Sequence, residues 1–591
     1  MNYKWTIKQP NQFVLKQFEG KNIPYVVGLI LSNRGWGIKD YEQMTTRFWE
    51  LTEHYSTNIC GINAAAKKIL RLYFEGYNIK VFGDYDTDGI TSSAIFNDFM
   101  TALKNNNKNF AGLFSIHVPE RVEGYGLNDI WCASVIKDHV ENNKKTLVVT
   151  FDNGITKNEQ IKLLNLAGIE TIIIDHHEPE GNIPEGIVVD PKKDGERLGE
   201  ELCGAGLAWI LVYKMYRIYM EVSSFNDDNK LLADSLQRCL GYATVGTIGD
   251  MMPMTIYNMS LVFNGLKYLN NPGKNISPIH FLIKCFSFRE INTKDIGFNI
   301  AAAINACGQM GSAKTALSLF IEPDSFTNEE YAKNACSLCN QSRDKTKKAK
   351  TIVNEDLAND IFKNDLFCIY VMKDIPHGIA GKLANHIAEK TGKPSIVLVD
   401  DDTDILKGSG RSGNDSINML EALKKLEKEE IIKSAAGHKV ACGVVFYKNK
   451  LDEAKIALNK ILVEKAENNE IQLIQEKELF IDGIITIKDI NMKNYNMVNM
   501  LPYSMNFYAP IFCIKGHIIK ARSSLNNINN ICYKIKDAAT NDIIDIWVWD
   551  KKAREYFDTK PTEISIAGNL TKNFLNPRQI TMDVIDLKFS L

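Results

Sequence analysis

The chain has 591 residues, 45% hydrophobic and 24% charged, the balance of a globular protein and not of a disordered or fibrous one. Its 70 basic and 72 acidic side chains leave a net charge of −2, which excludes an overall basic coat but leaves room for a local basic groove. No apolar run approaches the roughly 20 residues that span a bilayer, and residues 1–13 hold no apolar signal core, so a cytoplasmic protein without membrane contact is expected.

In chain order, residues 40–80 read as helices, with apolar positions three and four apart. A short apolar run at 79–82 stops abruptly at GDYDTDG. The pattern recurs in LVVTFDNG (147–154), TIIIDHH (171–177) and GIVVDP (186–191), separated by helical or loop segments. Strands alternating with helices predict an α/β fold, a parallel sheet with helices on both faces. Ligands of such sheets bind at the carboxyl ends of the strands, where these acids and histidines fall. Residues 205–290 read as helical, and the charged stretch 325–362 as a connecting helix. A second α/β segment follows, with strands at 366–372 and 394–400 and the glycine-rich KGSGRSGND (407–415). After a charged helix at 451–468, short β runs between Asn- and Asp-rich turns predict a small barrel or sandwich. The expected division is 1–320, a connecting helix at 321–364, then 365–470 and 471–591. Of the 12 cysteines only Cys336 and Cys339 form a C-x-x-C. Without a second pair they predict helix thiols in a reducing compartment.

Four segments carry candidate chemistry: Asp84, Asp86 and Asp88 before Gly89; Asp152 before Gly154; Asp175, His176 and His177; and Asp250. Singly, each has an ordinary explanation: a calcium loop or solvated turn, a tight turn, a capped loop. Three strand ends of one α/β unit all delivering ligand types is another matter. The three alternating acids share a face if the chain stays extended after the strand, with Gly89 allowing the turn into a helix. Clustered carboxylates repel unless cations lie among them. Oxygen-rich sites with one or two imidazoles suit Mn²⁺ or Mg²⁺, and two such ions are the usual apparatus of phosphoester hydrolysis.

DYDTDG, FDNG, IDHH and GTIGDMMP resemble the successive motifs of the DHH phosphoesterase superfamily. Further segments narrow the resemblance to its RecJ-type single-strand-specific exonucleases: LSNRGW (31–36), VPERVEGYGLN (118–128), CGAGLAW (203–209), INACGQMG (304–311), residues 377–398, GSGRS (408–412) and AAGHKVACG (435–443). The motifs run in order over about residues 25–450.

The resemblance implies a DHH catalytic domain, a smaller DHH-associated α/β domain beyond a long helix, and a C-terminal β-barrel of the oligonucleotide-binding type. It implies a two-metal enzyme that degrades single-stranded DNA from the 5′ end to mononucleotides, in recombination and repair. A single-strand-binding protein or a helicase would be its protein partner, and the enzyme would be a monomer. Asp84, Asp86 and Asp152 would hold the first Mn²⁺ or Mg²⁺; Asp88, Asp152, His176 and Asp250 the second. His177 would face the scissile phosphate, oriented with His176 by Asp175, and Arg121 would contact DNA phosphate. Ser409, Arg411, Ser412, Gly437, His438 and Asn305 would bind substrate; glycine-flanked amides beside an Arg fork make an anion site in any case.

The chain departs from the family pattern at Gln309 and Ala303, where the family carries arginines, and at Ala436, where it carries glycine; Lys314 or Lys382 would replace the lost charge. Residues 510–591 hold 12 basic and 9 acidic side chains, with Tyr533, Trp547, Trp549 and Phe574 as candidates for base stacking or for a β core. Two alternatives stay open: a small-nucleotide or short-oligonucleotide phosphodiesterase of the same superfamily, and a catalytically silent single-strand-binding scaffold.

Overall fold

In the computed structural model, every residue is described except 1–2, 108–109, 142–143, 196, 223–228, 364, 414–416, 438, 469–477, 525–529, 550–556, 558–561, 574–575 and 591. The chain forms two compact units. The first comprises residues 1–119, 123–301 and 476–591, the second residues 120–122 and 302–475. The C-terminal β segment thus groups with the N-terminal half of the chain.

In the first unit the leading strand β1 (Lys4–Ile7) is followed by a helical stretch and then by β2 (Asn78–Gly83), β3 (Leu113–His117), β4 (Thr146–Phe151), β5 (Glu170–Ile174) and β6 (Ile187–Val189). These last five form one parallel sheet in the order β3-β2-β4-β5-β6. All six residues of β4 are buried, the continuous apolar run expected of a parallel strand covered on both faces. Helices Thr87–Asn106, Gly204–Val222 and Lys230–Gly249 pack on one another around this sheet.

In the second unit β7 (Cys368–Met372), β8 (Ser395–Val399), β9 (Ile405–Arg411), β10 (Ile432–Gly437) and β11 (Ala441–Tyr447) form a mixed sheet, ordered β10-β11-β9-β8-β7. It carries an apolar core on each face. The 34-residue helix Ser325–Ala358 belongs to the same unit. Cys336 and Cys339 lie buried along it, without a disulfide.

The C-terminal segment contributes β12 (Glu478–Ile481), β13 (Gly483–Ile484), β14 (Phe512–Ser523), β15 (Ile531–Asp537), β16 (Ile543–Val548), β17 (Glu563–Lys572) and β18 (Ile580–Ser590). The last five form an antiparallel sheet ordered β16-β15-β14-β17-β18, and its edge strands β16 and β18 approach each other. A meander whose first strand pairs the fourth, with the third meeting the fifth, is the strand pattern of a partly open oligonucleotide-binding barrel. β12 pairs in parallel with β1, joining the start of the chain to this segment.

Candidate active site

Four strands of the parallel sheet end in an aspartate at the same edge: Asp84 after β2, Asp152 after β4, Asp175 after β5 and Asp190 after β6. Asp84 and Asp152 are buried, and Asp152 takes a left-handed backbone (φ 62°) as the chain leaves β4. Asp86 caps the helix Thr87–Asn106, accepting from the backbone N–H of Asp88 (3.0 Å) and Gly89 (3.1 Å).

Asp88 corrects the sequence reading, because it stands in the first helical turn and not on an extended chain. Gly89 is likewise helical. It lacks a side chain because a Cβ there would meet the Asp84 backbone nitrogen at 2.5 Å. The helix turns Asp88 toward the amino end of Gly204–Val222, where Gly204 N–H (2.6 Å) and Ala205 N–H (2.8 Å) donate to its two oxygens. Two amides at a helix N-terminus stabilise the carboxylate. Asp250 follows the last residue of Lys230–Gly249, where the helix dipole disfavours a negative charge.

These elements bring the predicted ligands together. His176 Nε2 lies 3.2 Å from Asp152, 3.7 Å from Asp88 and 3.7 Å from Asp250. Asp84, Asp86 and Asp152 converge as one group of donor atoms; Asp88, His176 and Asp250 form a second, and Asp152 also meets both histidines. Asp84 Oδ2 and Asp152 Oδ1 are buried without a hydrogen-bond partner, the condition of ligand atoms that expect a cation. Burial and the mutual repulsion of the carboxylates push Asp84, Asp86 and Asp152 above the usual range and Asp250 to about 8. Burial holds His176 down at about 4, the neutral form that a metal requires. The donor set therefore fits divalent metal ions.

His177 behaves differently. Burial opposes its charge, but a 2.8 Å hydrogen bond to Asp175 and the surrounding acids outweigh it and lift the ring to about 9. Asp175 is itself held below the usual range: burial raises it, and its partners, His177 first, more than compensate. Its carboxylate also accepts from the backbone N–H of Ile155 (2.9 Å) and His176 (2.8 Å).

Sequence reasoning missed Tyr125, whose hydroxyl donates to the Asp152 carbonyl (2.7 Å) and lies 3.0 Å from His177 Nε2. It also missed Asn153, whose side chain ties the ends of β2 and β4 through Phe82 O and Phe151 O. Both lie within quoted segments, and only their contacts reveal what they do. Asp190 escaped as well. It is buried with Oδ2 unpartnered, and burial foremost pushes it to about 7.

Arg121 is exposed at the start of the turn Arg121–Glu123 and, with the rest of residues 120–122, groups with the second unit. Within that unit Asn305 is half-buried on the helix Ala302–Met310. Ser409 and Arg411 lie on β9 and Gly437 ends β10. β11 brings them to one end of the sheet, pairing Ala441 with Arg411 and Cys442 with Gly437. Ser412 is buried, its N–H donating to Val440 O (3.0 Å). The Arg411 guanidinium donates to Gly410 O (2.7 Å), and burial pulls its pKa below the ordinary value. His438 lies outside the described residues.

In the C-terminal sheet Tyr533 is fully buried against Phe589, so it is core and not a stacking platform. Trp547 and Trp549 stack on each other at 5.8 Å with Trp549 exposed, and Phe574 lies outside the described residues.

Two family descriptions match: the DHH family, N-terminal domain, over residues 78–241, and the DHHA1 domain over residues 364–464. The single-stranded-DNA-specific exonuclease RecJ of Bacillus subtilis is 25% identical over 585 residues, covering 98% of this chain and 69% of the relative. The protein of the same name from Escherichia coli is 23% identical over 542 residues, covering 89% of this chain and 90% of the relative. A crystal structure of RecJ in complex with Mn²⁺ from Thermus thermophilus superposes with a TM-score of 0.74 at 20% identity, covering 99% of this chain and 79% of that one.

Proposed function

The chain belongs to the DHH phosphoesterase superfamily and is of the RecJ type, and from that premise we propose that it is a metal-dependent exonuclease of single-stranded DNA. One observation carries the reading: five carboxylates and an imidazole crowd the carboxyl edge of a parallel sheet, and among the described residues no Lys or Arg pairs with any of these acids. Divalent cations would offset the repulsion within such a cluster.

Asp84, Asp86 and Asp152 would hold one ion, and Asp88, Asp152, His176 and Asp250 the other, with Asp152 shared. Bound there, the ions supply positive charge to phosphoryl oxygens and a water acidic enough to attack. The chain's own groups do the rest. Asp88 is held by the Gly204 and Ala205 amides. His177, charged through its bond to Asp175 and steadied by Tyr125, would offer positive charge or a proton to the scissile phosphate. Arg121, Asn305, Ser409, Arg411, Ser412, Gly437 and His438 would grip the strand, with Arg411 giving the forked contact.

The exposed Trp549 beside Trp547, with Arg522 over the Trp547 ring at 5.9 Å, supports base stacking by the C-terminal barrel. Degradation from the 5′ end to mononucleotides, a cytoplasmic location, and a single-strand-binding protein or helicase as partner complete the reading. Among the described residues no helix is long and apolar enough to cross a membrane.

The test uses single strands labelled at either end, with Mn²⁺. Early release of 5′ label as mononucleotide, late release of 3′ label and an inert blunt duplex are expected. No release with Mn²⁺ or Mg²⁺ overturns the proposal, and turnover confined to dinucleotides favours the small-nucleotide alternative.

A further inference from the structure

The seam between two helices of the second unit carries a row of charge from which the preceding assignments draw Lys382 alone. Along Ser325–Ala358 the residues Cys339, Ser342, Thr346, Ala349 and Val353 form a buried stripe. Ala349 and Val353 share one apolar cluster with Ile379, Leu383 and Ile387 of the helix His377–Thr391. At 100° per residue, Arg343, Lys347 and Lys350 fall together on one flank of the first stripe, and Lys382, His386 and Lys390 on one flank of the second. Two contacts identify these as the facing flanks. Lys382 Nζ donates to Ser342 Oγ (3.3 Å), and His386 Nε2 lies 2.8 Å from Asn354 Oδ1.

The charges bear on one another. Burial and the fields of Arg343 and Lys350 lower Lys382, while burial, Lys350 and Lys390 lower His386. Carboxylates do little to offset this. Glu389 is the acid facing His386, and its carboxylate accepts from Asn385 (2.7 Å); Asp344 lies round the outer side of its helix. Among the described residues, Lys347, Lys350, Lys382 and Lys390 have no carboxylate within ion-pair distance. Cations held side by side in this way call for an anionic ligand.

We propose that this seam binds the phosphodiester backbone of a nucleic-acid strand, at positions additional to the residues that grip its end. The proposal rests on the reading of the protein as a nuclease of single strands. Arg343 and Lys350 stand roughly 10 Å apart along the helix, about three phosphates of a stacked strand. Both flanks are polar and regularly charged along the described residues. That suits sequence-independent phosphate contact.

The test compares the full chain with a Lys347→Glu/Lys350→Glu/Lys390→Glu variant and with the matching Lys→Gln triple, each checked by thermal melt. The Gln triple removes charge without reversing it and serves if the Glu triple melts early. Anisotropy of a labelled thirty-nucleotide strand, without metal and over a range of salt, gives the charge dependence of binding. Removing three phosphate contacts should make the slope of log K against log salt shallower by about 2. With Mn²⁺, kcat/KM for that strand should fall at least tenfold more than for a trinucleotide. An unaltered slope, an equal loss on both lengths, or tighter binding of poly-glutamate than of the strand overturns the groove. Wild-type protein that neither binds nor cuts either substrate overturns the nuclease reading instead.

Discussion

Asp152 is the residue at which both groups of candidate ligands meet, and its substitution separates catalysis from stability. Asp152→Asn keeps the shape of the side chain and removes one charge from a cluster of five acids. Hydrolysis should fall by three decades or more, about 4 kcal/mol of lost transition-state stabilisation. The metal-free protein should melt no lower than wild type, because a repulsion has gone. A loss of activity under tenfold would remove Asp152 from the shared position. The two histidines should part in the same way. His176 faces three carboxylates within 3.7 Å, whereas His177 is engaged by Asp175 and Tyr125. Calorimetric titration with Mn²⁺ should show His176→Ala losing affinity, and His177→Ala retaining it while kcat falls. Equal loss of affinity in both variants would cancel the division of labour.

At the level of elements, the amino end of the helix Gly204–Val222 is a working part of the site. Helix propensity alone makes Gly204→Ala favourable, by up to about 1 kcal/mol for an interior position. Packing reverses the sign, because the new methyl would stand 2.7 Å from Asp152 Cβ and 3.0 Å from Asp88 Oδ2. Two carboxylates would be displaced while the helix stays formed. The expected result is near-native circular dichroism with metal affinity and turnover both reduced at least tenfold. A fully active Gly204→Ala variant would show that the cluster tolerates the shift.

Over the whole molecule, the charge of the site should be visible in stability. Asp250, raised to about 8, is protonated in the fold where the unfolded chain is already ionised, so its burial costs stability as pH rises from about 4 to 8. His177, raised to about 9, stabilises the fold below its unfolded value near 6.5 and loses that contribution as pH passes 9. His176, lowered to about 4, acts oppositely, but only between about 4 and 6.5. Between pH 6.5 and 9 the signs agree: the metal-free Tm should fall, and the gain in Tm on adding Mn²⁺ should grow with pH. A flat metal-free profile would reject the charge-crowded site.

The C-terminal segment makes the other prediction at this scale. Arg34 forks onto Asp482 (3.0 and 3.1 Å), donates to Tyr508 O and lies 4.4 Å over the Phe507 ring. The pair is nearly buried, at 12% and 10% side-chain exposure, so Arg34→Ala should cost about 3–5 kcal/mol. Deleting residues 476–591 strips the same arginine of its partners and leaves β1 without β12. The expected outcome is a lower Tm and reduced activity on strands of every length. An intact melt with loss confined to long strands would mark the segment as a separable DNA grip.

The acidic strand ends, the histidine pair and the glycine-flanked arginine were legible in the sequence because each sits beside a run whose periodicity fixes a strand. Residues at consecutive strand ends of a parallel sheet lie along one edge, so the local pattern already drew Asp84, Asp152, Asp175 and His176 together, while the division of ligands between two ions rested on the family resemblance. The sequence motif also flagged Arg34, as part of LSNRGW, without its purpose. Its partner Asp482 lies 448 residues away, a distance that no local pattern spans. Tyr125, the amides of Gly204 and Ala205, and the place of Asp88 on a helix likewise depend on which surfaces pack together. Tertiary structure decided these, because a hydrogen bond or a close backbone approach exists only once both partners have been brought into contact.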